Sequence, residues 1–197
     1  MLSNPKYVII REEVANLPII SVSGPHGSGK TTAAKKIAEK LNYEYISAGV
    51  LFRDMANKAN MNIEEFSKKA ETQEEIDRFI DDKTVELGKT KDNIVVDAQL
   101  GGWMLHDSAD MLVYITAPFE TRIERIKERE NKSTEQARQE TISREESEKS
   151  RYQKLYNINI SDLSIYDIIL NSQKFSATDC AQIVLLAFEK KMKGEEK

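Results

Sequence analysis

Gly24-Pro25-His26-Gly27-Ser28-Gly29-Lys30-Thr31 fits the pattern G-x-x-x-x-G-K-[ST]. Glycines at those spacings let successive backbone amides turn toward one anion. The helix expected from Lys30 onward adds the partial positive charge of its N-terminus. A lysine and a hydroxyl at the end of such a loop suit a nucleoside triphosphate: Lys30 reaches the β and γ phosphates, and the Thr31 hydroxyl takes Mg²⁺. The donor site, for ATP, is therefore expected at Gly24, Pro25, His26, Gly27, Ser28, Gly29, Lys30, Thr31 and Thr32. The His26 side chain is expected to reach solvent rather than a phosphate, and His106, near a turn, to be structural or exposed. Asp97 closes an apolar strand, Asn93 to Asp97, where a carboxylate can hold the water shell of the metal, so Thr31 and Asp97 form the expected metal pair.

Phosphoryl transfer depends on positioning and charge neutralisation, so arginines should mark the rest of the site. Arg122, Arg125 and Arg129 lie at i, i+3 and i+7 and would share one helix face. Arg144 and Arg151 would share a face of a neighbouring helix. Guanidinium forks match phosphate oxygens better than lysine does. Some of these arginines are expected to be solvated partners of the nearby glutamates, Arg122 and Arg144 first among them.

The nature of the acceptor follows from what is missing. An alcohol acceptor wants a carboxylate base, whereas a phosphate is already anionic at neutral pH and needs cations instead. The strand Tyr43 to Ser47 carries no acid at its tip. Ser47 is followed by Ala48-Gly49 and then Arg53, which suits a phosphate. Asp54, Asp77 and Asp81 keep the alcohol reading open. No N-K-x-D segment for guanine is present, which disfavours a GTPase.

These residues need a sheet to hold them. Apolar runs at Leu17–Ser23, Tyr43–Ser47, Asn93–Asp97, Met111–Ile115 and Tyr166–Leu170 alternate with helical patterns. That alternation predicts an α/β fold with a parallel sheet covered on both faces. Helices are expected over Lys30–Leu41, from Val50 to Lys89, over Phe119–Tyr156 with a break near Asn131, and over Ala177–Lys191. Ser133-Thr-Glu-Gln136 reads as a capping box that restarts the broken helix. Tyr7–Ile10 could add an edge strand, and the charged tail from Lys190 is expected to fray.

The chain has 197 residues, 40% hydrophobic and 31% charged, with a net charge of −4. That balance fits one soluble domain and argues against a broad nucleic-acid surface. A single cysteine, Cys180, excludes an internal disulfide and a cysteine-type zinc site. The apolar runs are too short to span a bilayer. Lys6, Arg11, Glu12 and Glu13 interrupt the start as a signal peptide would not allow. A cytoplasmic location, small-molecule nucleotide partners, and no membrane or nucleic-acid partner are expected, with a monomer as the working state and a weak dimer as the alternative.

From Ile19 to Phe188 the chain resembles the nucleoside monophosphate kinases, and among them the archaeal-type cytidylate kinases. The resemblance is carried by I-S-V-S-G-P-H-G-S-G-K-T-T, Y-I-S-A-G-V-L-F-R, E-E-I-D-R-F-I-D, G-G-W-M, A-P-F-E-T-R-I-E-R-I-K-E-R-E and R-E-E-S-E-K-S-R-Y. Y-N-I-N-I-S-D-L-S-I-Y-D and L-N-S complete it. It implies a P-loop three-layer fold with a five-stranded parallel core, in a single domain over residues 1–197. Within that domain an N-terminal extension would span 1–17, an acceptor-binding insertion 48–92 and a lid region 130–156. It implies transfer of the ATP γ-phosphate to CMP, and to dCMP, giving CDP and ADP. By position, Ser47, Arg53, Asp77, Arg78 and Gln99 would meet the acceptor. Arg125 and Arg129 would form the lid pair, and Arg144 and Arg151 would bridge the phosphates, with Lys30 completing the catalytic set. Such enzymes end their third strand with acid, glycine and arginine. Here Asp97-Ala98-Gln99 stands instead, so Gln99 cannot supply that cation and the Ala98 β-carbon narrows the approach. A kinase for another monophosphate or for a nucleoside, or a nucleotide-binding regulator with little catalysis, are the alternatives.

Overall fold

The computed structural model describes residues 18–194, the side chain of Lys89 excepted. Its strands are β1 (Ile19–Ser23), β2 (Glu44–Ser47), β3 (Ile94–Asp97), β4 (Met111–Thr116) and β5 (Ile168–Asn171). They form one five-stranded sheet in the order β2-β3-β1-β4-β5, with each neighbouring pair parallel. Parallel neighbours require crossovers, and these are supplied by α1 (Lys30–Leu41), α2 (Ala48–Lys58), α3 (Ile63–Thr72), α4 (Glu74–Thr90), α5 (Gly101–Met104), α6 (Phe119–Glu130) and α7 (Thr134–Tyr156), while α8 (Ala177–Met192) follows the last strand and packs against α1.

Alternation along the strands sorts the core into two layers. Ile20, Val22, Val95, Val113 and Ile115 face α1 and α8, where they meet Ile37, Ala34 and Val184. Ile19, Ile94 and Val96 face the other way, onto Ala98 and Leu105. The inner strands β1 and β3 are buried at every residue, as their near-continuous apolar character requires, whereas the edge strands β2 and β5 are partly exposed. A separate apolar cluster joins α2, α3 and α4 through Phe52, Ala56, Phe66, Ala70, Ile76 and Ile80. There the Phe52 and Phe66 rings meet edge to face at 5.0 Å.

Several boundaries differ from the sequence expectation. The helical stretch from Val50 to Lys89 is three helices, divided at Asn60–Asn62 and at Gln73. Left-handed Asn60 follows the end of α2, and Asn62 caps the start of α3 with a reciprocal bond from Glu65. The short α5 has no apolar periodicity to betray it. The break at Asn131 stands where expected, with that residue left-handed at φ 51° and Ser133 and Gln136 forming the capping box. Lys190 and Lys191 belong to the last helix instead of fraying, since Leu185 and Phe188 anchor its final turns to the core. Tyr7–Ile10, the rest of the extension over 1–17, and residues 195–197 lie outside the described residues.

β1 is the centre of the sheet, with β3 on one side and β4 on the other. The chain leaves β1 where strand order reverses, and such a switch point opens a crevice beyond the strands' carboxyl ends. The glycine-rich turn, Asp97 and the start of α2 all emerge there.

Candidate active site

The loop between β1 and α1 is built by close approach. Gly24 sits at φ 147°, and a β-carbon there would fall 2.0 Å from the Ile115 carbonyl oxygen of β4. Gly29 caps α1 in the left-handed region at φ 87°. Only glycine takes these conformations without strain, so the turn can present its amides to an anion.

At the far end of the loop the Thr31 hydroxyl donates to Asp97 Oδ2 at 2.6 Å, and Tyr45 donates to the same oxygen at 2.8 Å. Asp97 is 3% exposed, and its Oδ1 is buried without a hydrogen-bond partner among the described residues. A buried carboxylate oxygen left open beside a threonine hydroxyl fits a hydrated divalent cation. Lys30 makes no hydrogen bond or ion pair among the described residues. Burial draws its pKa down, against the pull of Asp97 and Glu148.

Glu148 is the anionic hub of the site. It accepts from Arg144 Nε at 3.0 Å and meets His26 Nε2 at 2.8 Å. Burial works to raise its pKa, but contact with His26 and the charges of Arg144 and Arg151 outweigh it and hold the carboxyl well below the usual range. Burial lowers the His26 pKa more than Glu148 raises it, which leaves the imidazole neutral. The expectation of a solvated His26 is thus corrected: the ring is 15% exposed because α7 folds back over the loop and offers Glu148 as partner. His106 is exposed and bonded to Asp107, as a turn residue should be.

The arginines divide by task. Arg122 is 7% exposed and joins Glu145 at 2.5 Å and the His26 carbonyl at 2.9 Å, so it ties α6 and α7 to the loop and is not solvated. Arg125 donates to Ser172 Oγ and to its carbonyl, each at 2.8 Å, and Ser172 Oγ donates in turn to the Ser28 carbonyl at 2.5 Å. Arg129 lines the cleft but is 61% exposed and, among the described residues, is paired only with Glu130. Arg144 also lines the cleft, 5.9 Å from the Phe52 ring centroid, so it too departs from the solvated expectation. Arg151 is 6% exposed and donates to Asp77 Oδ2 at 2.7 Å and to Ser147 Oγ at 2.6 Å.

These groups surround one cleft of about 490 Å³. Ser47, Arg53, Asp77, Asp97, Ala98 and Gln99 line it, as do Gly29 and Thr32 at the end of the loop. Ser47 caps α2, accepting from the Val50 amide at 3.4 Å. Arg53 and Gln99 have no hydrogen-bond partner among the described residues. Gly24, Pro25 and Ser28 shape the loop from behind and do not line the cleft, Ser28 being wholly buried. Arg78 stands outside it. The period of α4 aims Asp77, Ile80 and Asp81 inward, and Arg78 projects to solvent beside Glu74. Asp54 is exposed and outside as well.

Sequence reasoning did not single out Glu148, Ser172, Phe52 or Tyr152, all on the cleft wall. Glu148 had a usable signal, four residues after Arg144 on one helix. Ser172 had another, directly after the last strand at its carboxyl end.

A glycine loop at the switch point of a parallel sheet, with a strand-end aspartate on its threonine and arginines over its mouth, defines a P-loop kinase. Solved structures agree on the fold. Shikimate kinase from Acinetobacter baumannii in complex with shikimate aligns with TM-score 0.60 at 19% identity, covering 92% of this chain and 96% of that one. The cytidylate kinase of Archaeoglobus fulgidus is 48% identical over 179 residues, spanning 90% of this chain and 99% of that protein. That of Methanocaldococcus jannaschii is 42% identical over 174 residues, 87% and 97% of the two chains. Residues 19–174 match the cytidylate kinase-like family, and the chain belongs to it.

Proposed function

We propose that this protein transfers the γ-phosphoryl group of ATP to CMP, and to dCMP, giving CDP and ADP. The observation that carries the reading is the charge arrangement across the cleft. Lys30 and the loop amides face Arg53, Arg129, Arg144 and Arg151, and no carboxylate stands at the tip of β2. Two anionic groups can be held in line by such fixed cations, and an anionic acceptor needs no base.

The parts have distinct tasks. The loop amides and Lys30 hold the donor's β and γ phosphates, with Lys30 countering charge on the group in transit. Thr31 and Asp97 would hold Mg²⁺, which supplies charge neutralisation on the donor phosphates when bound. Arg53 and Ser47 orient the acceptor phosphate, and Gln99 contributes a neutral amide beside them. Arg144 and Arg151 are held by Glu148 and Asp77, and each can turn its fork to phosphate when the helices bearing them close. In this reading residues 48–92 form the acceptor-binding insertion and 130–156 the lid.

Steady-state turnover with CMP, dCMP, UMP, AMP and cytidine tests the proposal. CMP and dCMP should be the preferred acceptors. Turnover with cytidine and with no monophosphate would reject it in favour of a nucleoside kinase. Tight ATP binding with no transfer to any of them would indicate a nucleotide-binding regulator.

A further inference from the structure

Resting on that reading, one group in the cleft is left without a task. Asp81 lies one turn beyond Asp77 on α4 and lines the same cleft. A carboxyl group that holds neither an arginine nor a metal-binding hydroxyl has no evident place among phosphates. Asp77 is already taken by Arg151 at 2.7 Å, but Asp81 is held only from the side, by the Tyr156 hydroxyl donating to Oδ2 at 2.8 Å. Its Oδ1 has no hydrogen-bond partner among the described residues.

We propose that Asp81 reads the acceptor base: Oδ2 accepts from the 4-amino group of cytosine, Oδ1 donates a proton to ring nitrogen N3, and Tyr156 fixes which oxygen does which. The edge of cytosine offers a donor beside an acceptor. A carboxyl group that carries one proton offers the complement at matching spacing. Uracil offers the reverse order, an oxygen acceptor beside an N–H donor. A carboxyl free to exchange the roles of its oxygens would accept either base. Tyr156 opposes that exchange, because the carbonyl oxygen of a carboxylic acid is the stronger acceptor for the phenol O–H, so the proton is favoured on Oδ1.

The surroundings favour the proton. Burial and the carboxylates of Asp77 and Asp82 on its own helix push the Asp81 pKa up to about 7, against the Tyr156 hydrogen bond and the charge of Arg151 on α7. Tyr152, also on α7, is buried beside it and stays protonated, its own pKa pushed up by burial and by Glu148, Asp81 and Asp77. Near neutral pH the group is poised between the form that reads cytosine fully and an anion that can grip only the amine.

The measurement is the ratio of kcat/KM for CMP to that for UMP, taken from about pH 6 to 8.5. Both nucleotides carry the same phosphate, so its titration and that of His26 cancel in the ratio. The wild-type ratio should fall as pH rises past about 7. Asp81→Asn presents a carbonyl and an N–H in the same places, so it should keep the low-pH ratio and lose the pH dependence. Asp81→Leu should lower the ratio roughly tenfold to a hundredfold, as expected when a site built for hydrogen bonds loses them. Tyr156→Phe should lower it less, by letting the carboxyl swap roles. An unchanged ratio in Asp81→Leu, with both rates reduced together, would assign the carboxyl to the ribose or to helix packing and overturn the inference. So would an Asp81→Asn protein that kept the wild-type pH profile. A wild-type protein inert toward CMP would instead overturn the function proposed above. Binding of an ATP analogue by each variant reports that it is folded.

Discussion

Lys30 shows at residue scale how little of this site depends on a catalytic base. Its ammonium is drawn into the loop without an ion pair of its own, which leaves it available to the phosphoryl group in transit. Lys30→Ala should therefore lower kcat by about 100-fold or more, as the loss of one preorganised charge at a transition state does. The melting temperature should hardly move, because among the described residues the lysine bonds no other side chain. A variant with near wild-type turnover would show that the loop is not the donor site. The loop, its lysine and the strand-end Asp97 were legible in the sequence because phosphate binding constrains backbone conformation, and backbone conformation constrains residue type. His26 and Arg122 were not, since their partners Glu148 and Glu145 are over a hundred and over twenty positions away respectively, and only the return of α7 brings them together. Arg78 misled for a simpler reason. Adjacent residues on a helix point about 100° apart, and its neighbour Asp77 took the inward position.

At the scale of elements, α7 is the piece on which the site depends most. It carries Arg144, Glu148 and Arg151, yet its sequence is charged on every side, so apolar packing alone does not fix its register. The start of the helix is fixed by its cap: the Ser133 hydroxyl accepts from the Gln136 amide at 3.2 Å, and the Ser133 amide donates to Gln136 Oε1 at 3.1 Å. Ser133→Ala should cost about 1 kcal/mol of stability. Thermal melts should show a fall of a few degrees, and the KM values should rise more than kcat falls if the fraying reaches Arg144. Equal melting temperatures for the two proteins would mean that the buried residues of its first turns, Ala137 and Thr141, set the helix without the cap. The capping box was readable because it is a local pattern of hydroxyl and amide. The division of residues 50–89 into three helices was not: the Phe52–Phe66 contact and the Asn62 cap depend on how the helices fold back on one another. Strands β1, β3 and β4 could be read because burial on both faces demands uninterrupted apolar residues. Strand order could not, beyond the rule that a switch point lies at the loop.

Across the whole molecule, the buried titratable groups of the cleft pull stability in opposite directions as pH changes. His26 is kept neutral by burial, with a pKa below its ordinary 6.5. As pH falls through that value the unfolded chain takes up a proton that the folded one refuses, so His26 makes the protein less stable in acid. Asp81 has the reverse sign. Its folded pKa of about 7 lies above the ordinary 3.8, so the folded chain binds the extra proton between those values, and stability from this group is lost as pH rises toward 7. Glu148, depressed by its cationic neighbours, adds stability above the ordinary carboxylate range and loses it only in strong acid. Just below pH 6.5 the first two contributions oppose one another, and the wild-type stability should change less with pH there than either group alone would make it. Asp81→Asn removes only the descending one. Its melting temperature relative to wild type should therefore climb by a few degrees from about pH 5 to 8 and then level off. A constant difference between the two proteins across that range would mean that Asp81 titrates like an exposed carboxylate, and that the cleft is wetter at α4 than its burial implies.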